Sequence, residues 1–425
     1  MKYSLVRLEN GLRVVTIPMP SLESATVTVW VKTGSRNELA RVAGISHFLE
    51  HMVFKGSKKR PSARAISEAV DAIGGEFNAA TAKEWTNFYI KAQKNSLPVA
   101  FDVLADMVLN PLLNSRDIEK EKGVVCEEMA MYEDTPIYKI GEIFEQTAFK
   151  GNVLGRDTIG SEDTVKAIKR NDIQRYINTY YYSDNMVLTV AGGINQKQVI
   201  DLAEKHFGGV GKKEIESTIK DKFVSRQKSP QVLVKNKKNE QVHFILGFVG
   251  SRRDAKTKYI EAVTSSILGG GMSSRMFTEV REKRGLAYAV KVYSDHFVDT
   301  GEFVTYAGVD PSKTEEAIKV MLDQYYGLAS QKYKISDSEF KKAKEYLKGQ
   351  SALVLEDTKD VTFFYGERAL FGLKLHNPDE IYREIDKVRV DDIYKFASEV
   401  FLPNRLNLAI IGPLTDKDKF EKLLK

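Results

Sequence analysis

Thr26-Val27-Thr28-Val29-Trp30-Val31-Lys32-Thr33-Gly34-Ser35-Arg36-Asn37-Glu38 reads as an alternating strand that runs into a turn. The same design recurs as Val242-His243-Phe244-Ile245-Leu246-Gly247-Phe248-Val249-Gly250-Ser251-Arg252-Arg253-Asp254. Gly-Ser-Arg returns 216 positions on, at Gly250 after Gly34. A second matching pair lies further along each half. Tyr181-Tyr182-Ser183-Asp184-Asn185-Met186-Val187-Leu188-Thr189-Val190-Ala191-Gly192 parallels Phe401-Leu402-Pro403-Asn404-Arg405-Leu406-Asn407-Leu408-Ala409-Ile410-Ile411-Gly412. Each is a strand entered through a polar turn and left through glycine. Each leads into a helical stretch, 196–206 in the first half and 416–424 in the second. Self-similarity on this scale implies two similar units of about 200 residues each.

The expected boundaries are 1–210 for the first domain and 230–425 for the second. The lysine-rich stretch 211–229 joins them, because it has few large apolar residues. Residues 63–73 and 97–109 carry helical periodicity, and 77–91 reads as strands with a turn. Helical stretches follow strands without a strict βαβ rhythm, so the fold class is α+β. Each domain is expected to be a mainly antiparallel sheet with helices packed on one face.

The chain has 425 residues, 42% hydrophobic and 29% charged, which suits a globular protein with a real core. Its net charge of +6 is spread among nearly as many acids as bases, so no nucleic-acid footprint is indicated. Cys126 is the only cysteine, which excludes an internal disulfide and agrees with a reducing compartment. Charge interrupts the first residues at once, and no stretch approaches 18 uncharged apolar residues. The expectation is therefore no signal peptide, no membrane span and a cytoplasmic location.

Gly44-Ile45-Ser46-His47-Phe48-Leu49-Glu50-His51-Met52 reads as helix. Residues four apart share a helix face, so His47 and His51 can aim both imidazoles at one metal ion. Glu50 lies on the same side, three residues after His47. A catalytic zinc takes imidazole nitrogens and keeps a position for water, whose proton a nearby carboxylate can accept. The His-x-x-Glu-His order is the inverted form of the commoner zinc-peptidase helix. At the positions 216 residues later stand Val263, Ser266 and Ile267. The second unit thus has no ligands there, and the fold does not need them.

Two histidines do not complete a zinc site. Residues 115–133 read as a helix rich in carboxylates. Glu121 and Glu128, seven apart, lie within about 20° of one another on it. One could bind the metal while the other supports it. Cys126 points about 160° away from Glu128 and reads as a core thiol.

The run His47-Phe48-Leu49-Glu50-His51-Met52-Val53-Phe54-Lys55-Gly56 resembles the zinc peptidases of the pitrilysin, insulin-degrading-enzyme and mitochondrial-processing-peptidase family. The resemblance continues through Gly74-Gly75-Glu76-Phe77-Asn78-Ala79-Ala80-Thr81, Glu84-Trp85-Thr86-Asn87-Phe88-Tyr89, Glu121–Glu128 and Asp134-Thr135-Pro136. It implies zinc, one per chain, held by His47, His51 and Glu128, with Glu50 as the base and Glu121 as a supporting acid. It implies a substrate edge strand at Asn78 and Ala79, on which a peptide lies as an added strand. The run Arg281-Glu282-Lys283-Arg284-Gly285-Leu286-Ala287-Tyr288 matches the family's arginine and tyrosine, which contact substrate and the developing oxyanion. The chain has the length of the family's short branch, whose members face each other in pairs. That implies a homodimer in which Arg281 and Tyr288 of one copy complete the site of the other. The expected reaction is endopeptidase cleavage of unfolded peptides or presequence-like segments. The alternative is a non-catalytic structural or partner subunit of a processing-peptidase-like complex.

Overall fold

The computed structural model describes residues 1–213 and 221–424. Part of the expected linker, 214–220, therefore lies outside the described residues. Eleven strands among these residues form two sheets. The first half supplies β1 (Ser4–Arg7), β2 (Arg13–Pro18), β3 (Ser24–Val31), β4 (Glu76–Thr81), β5 (Thr86–Gln93) and β6 (Met186–Gly192). The second supplies β7 (Gln231–Asn236), β8 (Val242–Gly250), β9 (Ala287–His296), β10 (Gly301–Val309) and β11 (Asn407–Gly412).

The sheet orders are β1-β2-β6-β3-β5-β4 and β7-β11-β8-β10-β9. Without β1 the two orders superimpose, β3 on β8 and β6 on β11. Even the exception repeats: β2 pairs parallel with β6 and β7 with β11, while the other pairs are antiparallel. The repeat in the sequence is thus a repeat of topology. The fold is α+β with two similar mainly antiparallel sheets and their helices.

The first half also supplies the helices α1 (Ile45–Val53), α2 (Ala63–Asp71), α3 (Leu97–Leu109) and α4 (Ser115–Asp134), of which α1 carries His47, Glu50 and His51, and α4 carries Glu121 and Glu128. Helix α3 packs on β3 and β5. On β3 the odd positions Ala25, Val27, Val29 and Val31 are buried, and so are Thr26, Thr28 and Trp30 on the opposite face. A strand that rejects water on both sides needs cover on both. The second cover is the helix Thr358–Leu370, from far along the chain. Thr26 and Thr28 meet Thr358 and Thr362, hydroxyl to hydroxyl, at 2.7 and 2.8 Å. Trp30 packs with Tyr365 and Leu370 and donates from Nε1 to Thr189 at 3.0 Å. Gly366 lets the helix sit this close, because a Cβ there would fall 2.1 Å from Trp30 Nε1. Burying each large apolar side chain contributes about 1.5–3 kcal/mol, which makes this contact a main support of the sheet.

On the second sheet, α5 (Pro136–Ala148) packs against β8 and β11. Ile140, Ile143 and Phe144 join Ile245, Val304, Ala409 and Ile411 in one buried cluster. Packing therefore divides the chain differently from a cut at its middle. One unit holds Met1–Ala130, the described residues of Arg156–Lys220, and Ala352–Pro378. The other holds Met131–Gly155, the described residues of Asp221–Ser351, and Asp379–Lys425. No helix among the described residues is long and apolar enough to cross a membrane.

Candidate metal centre

Helix α1 turns its apolar residues inward: Ile45, Phe48, Leu49, Met52 and Val53 are buried. The 3.6-residue period then leaves His47, Glu50 and His51 on the other side. The helix starts at Gly44, which has φ +92°, and a Cβ there would fall 2.3 Å from the Ile159 carbonyl oxygen. Helix α4 buries Ile118, Glu121 and Val125. Its Glu121 and Glu128 both point toward α1, as their seven-residue spacing requires.

The ligand-type atoms of His47, His51 and Glu128 all lie within 4.8 Å of one another, the sole such group among the described residues. His51 Nε2 is 3.3 Å and His47 Nε2 3.6 Å from Glu128 Oε2. A tetrahedral zinc with bonds of about 2.0–2.2 Å spaces its ligand atoms about 3.3–3.6 Å apart, so both histidine–glutamate spacings suit such an ion. The outer nitrogen of His51 is held as well. Nδ1 lies 2.8 Å from Glu121 Oε1, which leaves Nε2 of the neutral ring as a lone-pair donor toward a metal. Lys55 Nζ holds the other Glu121 oxygen at 2.7 Å.

Electrostatics separate the two imidazoles. Burial and the neighbouring His51 charge push His47 down to about 4. Burial also opposes charge on His51, yet its hydrogen bonds to Glu121 and Glu128 outweigh it and lift His51 to about 9. Burial alone would raise Glu121, but His51 and Lys55 hold it below the usual carboxylate value. Glu50 is raised, chiefly by burial, with Thr81 and the His51 charge pulling back. Thr81 Oγ1 donates to Glu50 Oε2 at 2.5 Å.

Asn78 and Ala79 lie on β4, an edge strand that pairs with β5. Thr81 ends that strand, so the strand and Glu50 are physically linked. Arg281 and Tyr288 belong to the other packing unit. Arg281 sits in a π-helical turn with its guanidinium over the rings of Phe277 and Tyr288, at 4.8 and 5.6 Å. Tyr288 is 76% exposed. In the second half, Val263, Ser266 and Ile267 are buried in the helix Lys258–Gly269, and Ser266 donates to the Ala343 carbonyl at 3.0 Å. Direct helix packing there replaces the polar cluster of the first half.

Two members of the site were passed over in the sequence. Lys55 stands four residues after His51, a spacing that could have flagged it as a partner for the same carboxylate. Thr81 carried no local signal, since only the sheet brings it to Glu50.

Comparisons with known proteins give the family. Residues 13–162 match the family model described as insulinase, peptidase family M16, and residues 167–347 match the M16 inactive domain. The chain is 38% identical to an uncharacterized zinc protease of Streptomyces coelicolor, over 96% of this chain and 89% of that protein. It is 34% identical to an uncharacterized zinc protease of Bacillus subtilis, over 95% of this chain and 97% of that one. The crystal structure of a protease from Helicobacter pylori shares its fold with a TM-score of 0.90 at 25% identity, covering 97% of this chain and 100% of that one. The repeated topology, the metal-type cluster confined to the first half among the described residues and these likenesses together show that the chain belongs to peptidase family M16, the insulinase family.

Proposed function

We propose that this chain is a zinc-dependent endopeptidase of unfolded peptides and presequence-like segments. The observation that carries the reading is the approach of His47, His51 and Glu128 to one another beside a carboxylate, Glu50, that stands outside the ligand set. His47, His51 and Glu128 would hold one zinc per chain. A zinc bound there would supply the Lewis acidity that gives its water a pKa near about 7. Glu50 takes the proton of the attacking water and returns it to the leaving amine. Its raised pKa, produced by burial, suits a base that must also serve as an acid. Thr81 fixes the carboxylate so that one oxygen is held and the other can face the reacting water. Glu121, locked by Lys55, orients His51. Residues 1–210 act as the catalytic domain, with the peptide beside Asn78 and Ala79 on the β4 edge. Residues 230–425 act in substrate contact through Arg281 and Tyr288, in a homodimer where each copy completes its partner's site. A cytoplasmic site of action is proposed as well, supported by the single cysteine, Cys126, which suits a reducing compartment.

Complementation tests the whole reading. Glu50→Gln and Arg281→Ala homodimers should each cleave a quenched, basic, unstructured peptide poorly. Mixed and re-equilibrated, they should regain activity, because one site per heterodimer has both residues intact. No gain would place Arg281 in the same copy as the zinc. A zinc-loaded wild type that cleaves no peptide in a broad set would favour the partner-subunit role.

Zinc uptake is expected to release about one proton per site from His51 near neutral pH, in addition to any lost by the bound water. In the metal-free protein His51 is protonated up to about 9, while His47, at about 4, is already neutral. The proton competes with the metal, so acid favours the metal-free form. Affinity should rise at least about tenfold per pH unit from acid up to the His51 pKa. Calorimetry in buffers of different ionisation enthalpy reads the proton count directly. Binding heats independent of buffer would mean that His51 enters the site neutral.

A further inference from the structure

The structure assigns to Glu38, on the turn after β3, the task of setting the position of α1 and with it the aim of His47 and His51. Glu38 is 6% exposed, and its carboxylate lies across the start of α1. Oε2 accepts from Gly44 N at 2.6 Å, and Oε1 accepts from Ser46 N at 2.8 Å and from Ser46 Oγ at 2.5 Å. These are N–H groups at the helix start, which have no partner within their own helix. Helices usually cap this end from the residue next door. Here that place is taken by Gly44, which has no side chain and is needed for its left-handed turn, so the cap arrives from six residues upstream.

The network extends outward. Ser46 Oγ is 2.8 Å from the Tyr176 hydroxyl, which is 2.7 Å from Thr33 Oγ1. Thr33 lies just past the end of β3, and Tyr176 stands on the helix Arg170–Tyr180. The first turn of α1 is thereby tied to the turn after β3 by the Glu38 carboxylate, and to Tyr176 and Thr33 through the Ser46 hydroxyl. Ser46, which supplies two of the three contacts, immediately precedes His47. A buried charge is a poor device for stability alone. Burial pushes Glu38 up to about 7 against the pull of Ser46 and Gly44, so holding it ionised at neutral pH costs stability. What the charge supplies is a single fixed start for the helix. Glu38 touches neither substrate nor the ligand atoms; it is a positioning residue, and the inference rests on the metal centre proposed above.

Glu38→Gln is the informative variant. Each carboxylate oxygen faces a backbone N–H, so neither orientation of the amide satisfies both. The volume is unchanged, which keeps folding within reach, and Tyr176→Phe removes only the outer hydroxyl should the first variant fail to fold. Glu38→Gln is expected to bind zinc about tenfold or more weakly in chelator competition, the scale on which loss of a supporting contact acts. The cobalt-substituted protein should show a shifted visible spectrum, and kcat should fall with KM within about twofold, because a displaced ligand pair alters chemistry more than peptide binding. Tyr176→Phe should move the same readouts less, in the same direction. Unchanged zinc affinity and cobalt spectrum in a variant whose melting temperature has dropped would make Glu38 purely structural and overturn the inference. The metal readouts need no turnover, so a wild type that binds zinc without cleaving peptide refutes the peptidase reading and still leaves Glu38 testable.

Discussion

Glu50→Gln is expected to cleave peptide about 10²–10⁴-fold more slowly than wild type while holding zinc equally well, the range in which a general base contributes. The argument is geometric. Glu50 lies on the face of α1 that carries His47 and His51, yet it stays outside the group of close ligand atoms. Its hydrogen-bond partner is the Thr81 hydroxyl. The amide keeps the shape and can still accept from Thr81 through its oxygen. It cannot take a proton from water. Metal analysis of both proteins, with steady-state rates on a quenched peptide, separates the two roles. Loss of zinc from Glu50→Gln would make Glu50 part of the metal's support instead, and wild-type rates in the zinc-loaded variant would remove it from the mechanism. A fall in kcat and in kcat/KM by equal factors is the signature of an interaction made in the transition state.

Glu128→Ala is expected to lose zinc and with it all measurable turnover, whereas Glu121→Gln should keep zinc with an affinity lowered about 10–100-fold. The two glutamates stand on one face of α4 and resemble each other in sequence, but their surroundings differ. Glu128 is the one whose oxygen approaches both imidazoles, at 3.3 and 3.6 Å. Glu121 meets the outer nitrogen of His51 and is neutralised from behind by Lys55. Removing Glu128 leaves two donors, too few for a closed hold on the ion. Removing the charge of Glu121 leaves three donors with one of them less firmly turned. Zinc content after dialysis against a graded series of chelators gives both answers. Equal loss from the two variants would mean that they act as one unit.

Much of this was legible in one dimension because the relevant contacts are local. His47, Glu50 and His51 share a face by helix period alone, and the same holds for Glu121 and Glu128. The helix expected at 97–109 is observed as Leu97–Leu109, and that expected at 63–73 ends two residues early, at Asp71, where the chain turns toward Gly74. Strands 26–31 and 242–250 are legible because each is a run of β-branched and aromatic residues that ends at a Gly-Ser-Arg turn. What stayed hidden depends on distant partners. Thr26, Thr28 and Trp30 read as the second face of a half-buried strand, and nothing near them announces the helix Thr358–Leu370 that covers it. Thr81 and Glu38 are ordinary polar residues until the sheet and the turn after β3 bring them to α1. Preferring Glu128 to Glu121 as the proposed ligand needed a resemblance, since helix period places both on the same face.

The lid that Thr358–Leu370 forms over Trp30 also has a meaning in time. A ribosome delivers β6, the last strand of the first sheet, by Gly192, but the covering helix only begins at Thr358. At about 5–20 residues per second, the 166 residues from Gly192 to Thr358 take roughly 10–30 s to make. For that interval the nascent sheet is complete in its strands and bare on the side of Val15, Ile17, Trp30 and Val187. The newborn protein is therefore expected to engage chaperones that shield apolar surface, and ribosome-bound chains ending between Gly192 and Thr358 would retain them more than longer ones. A chain cut short before Thr358 would lack the helix that covers this side of its first sheet.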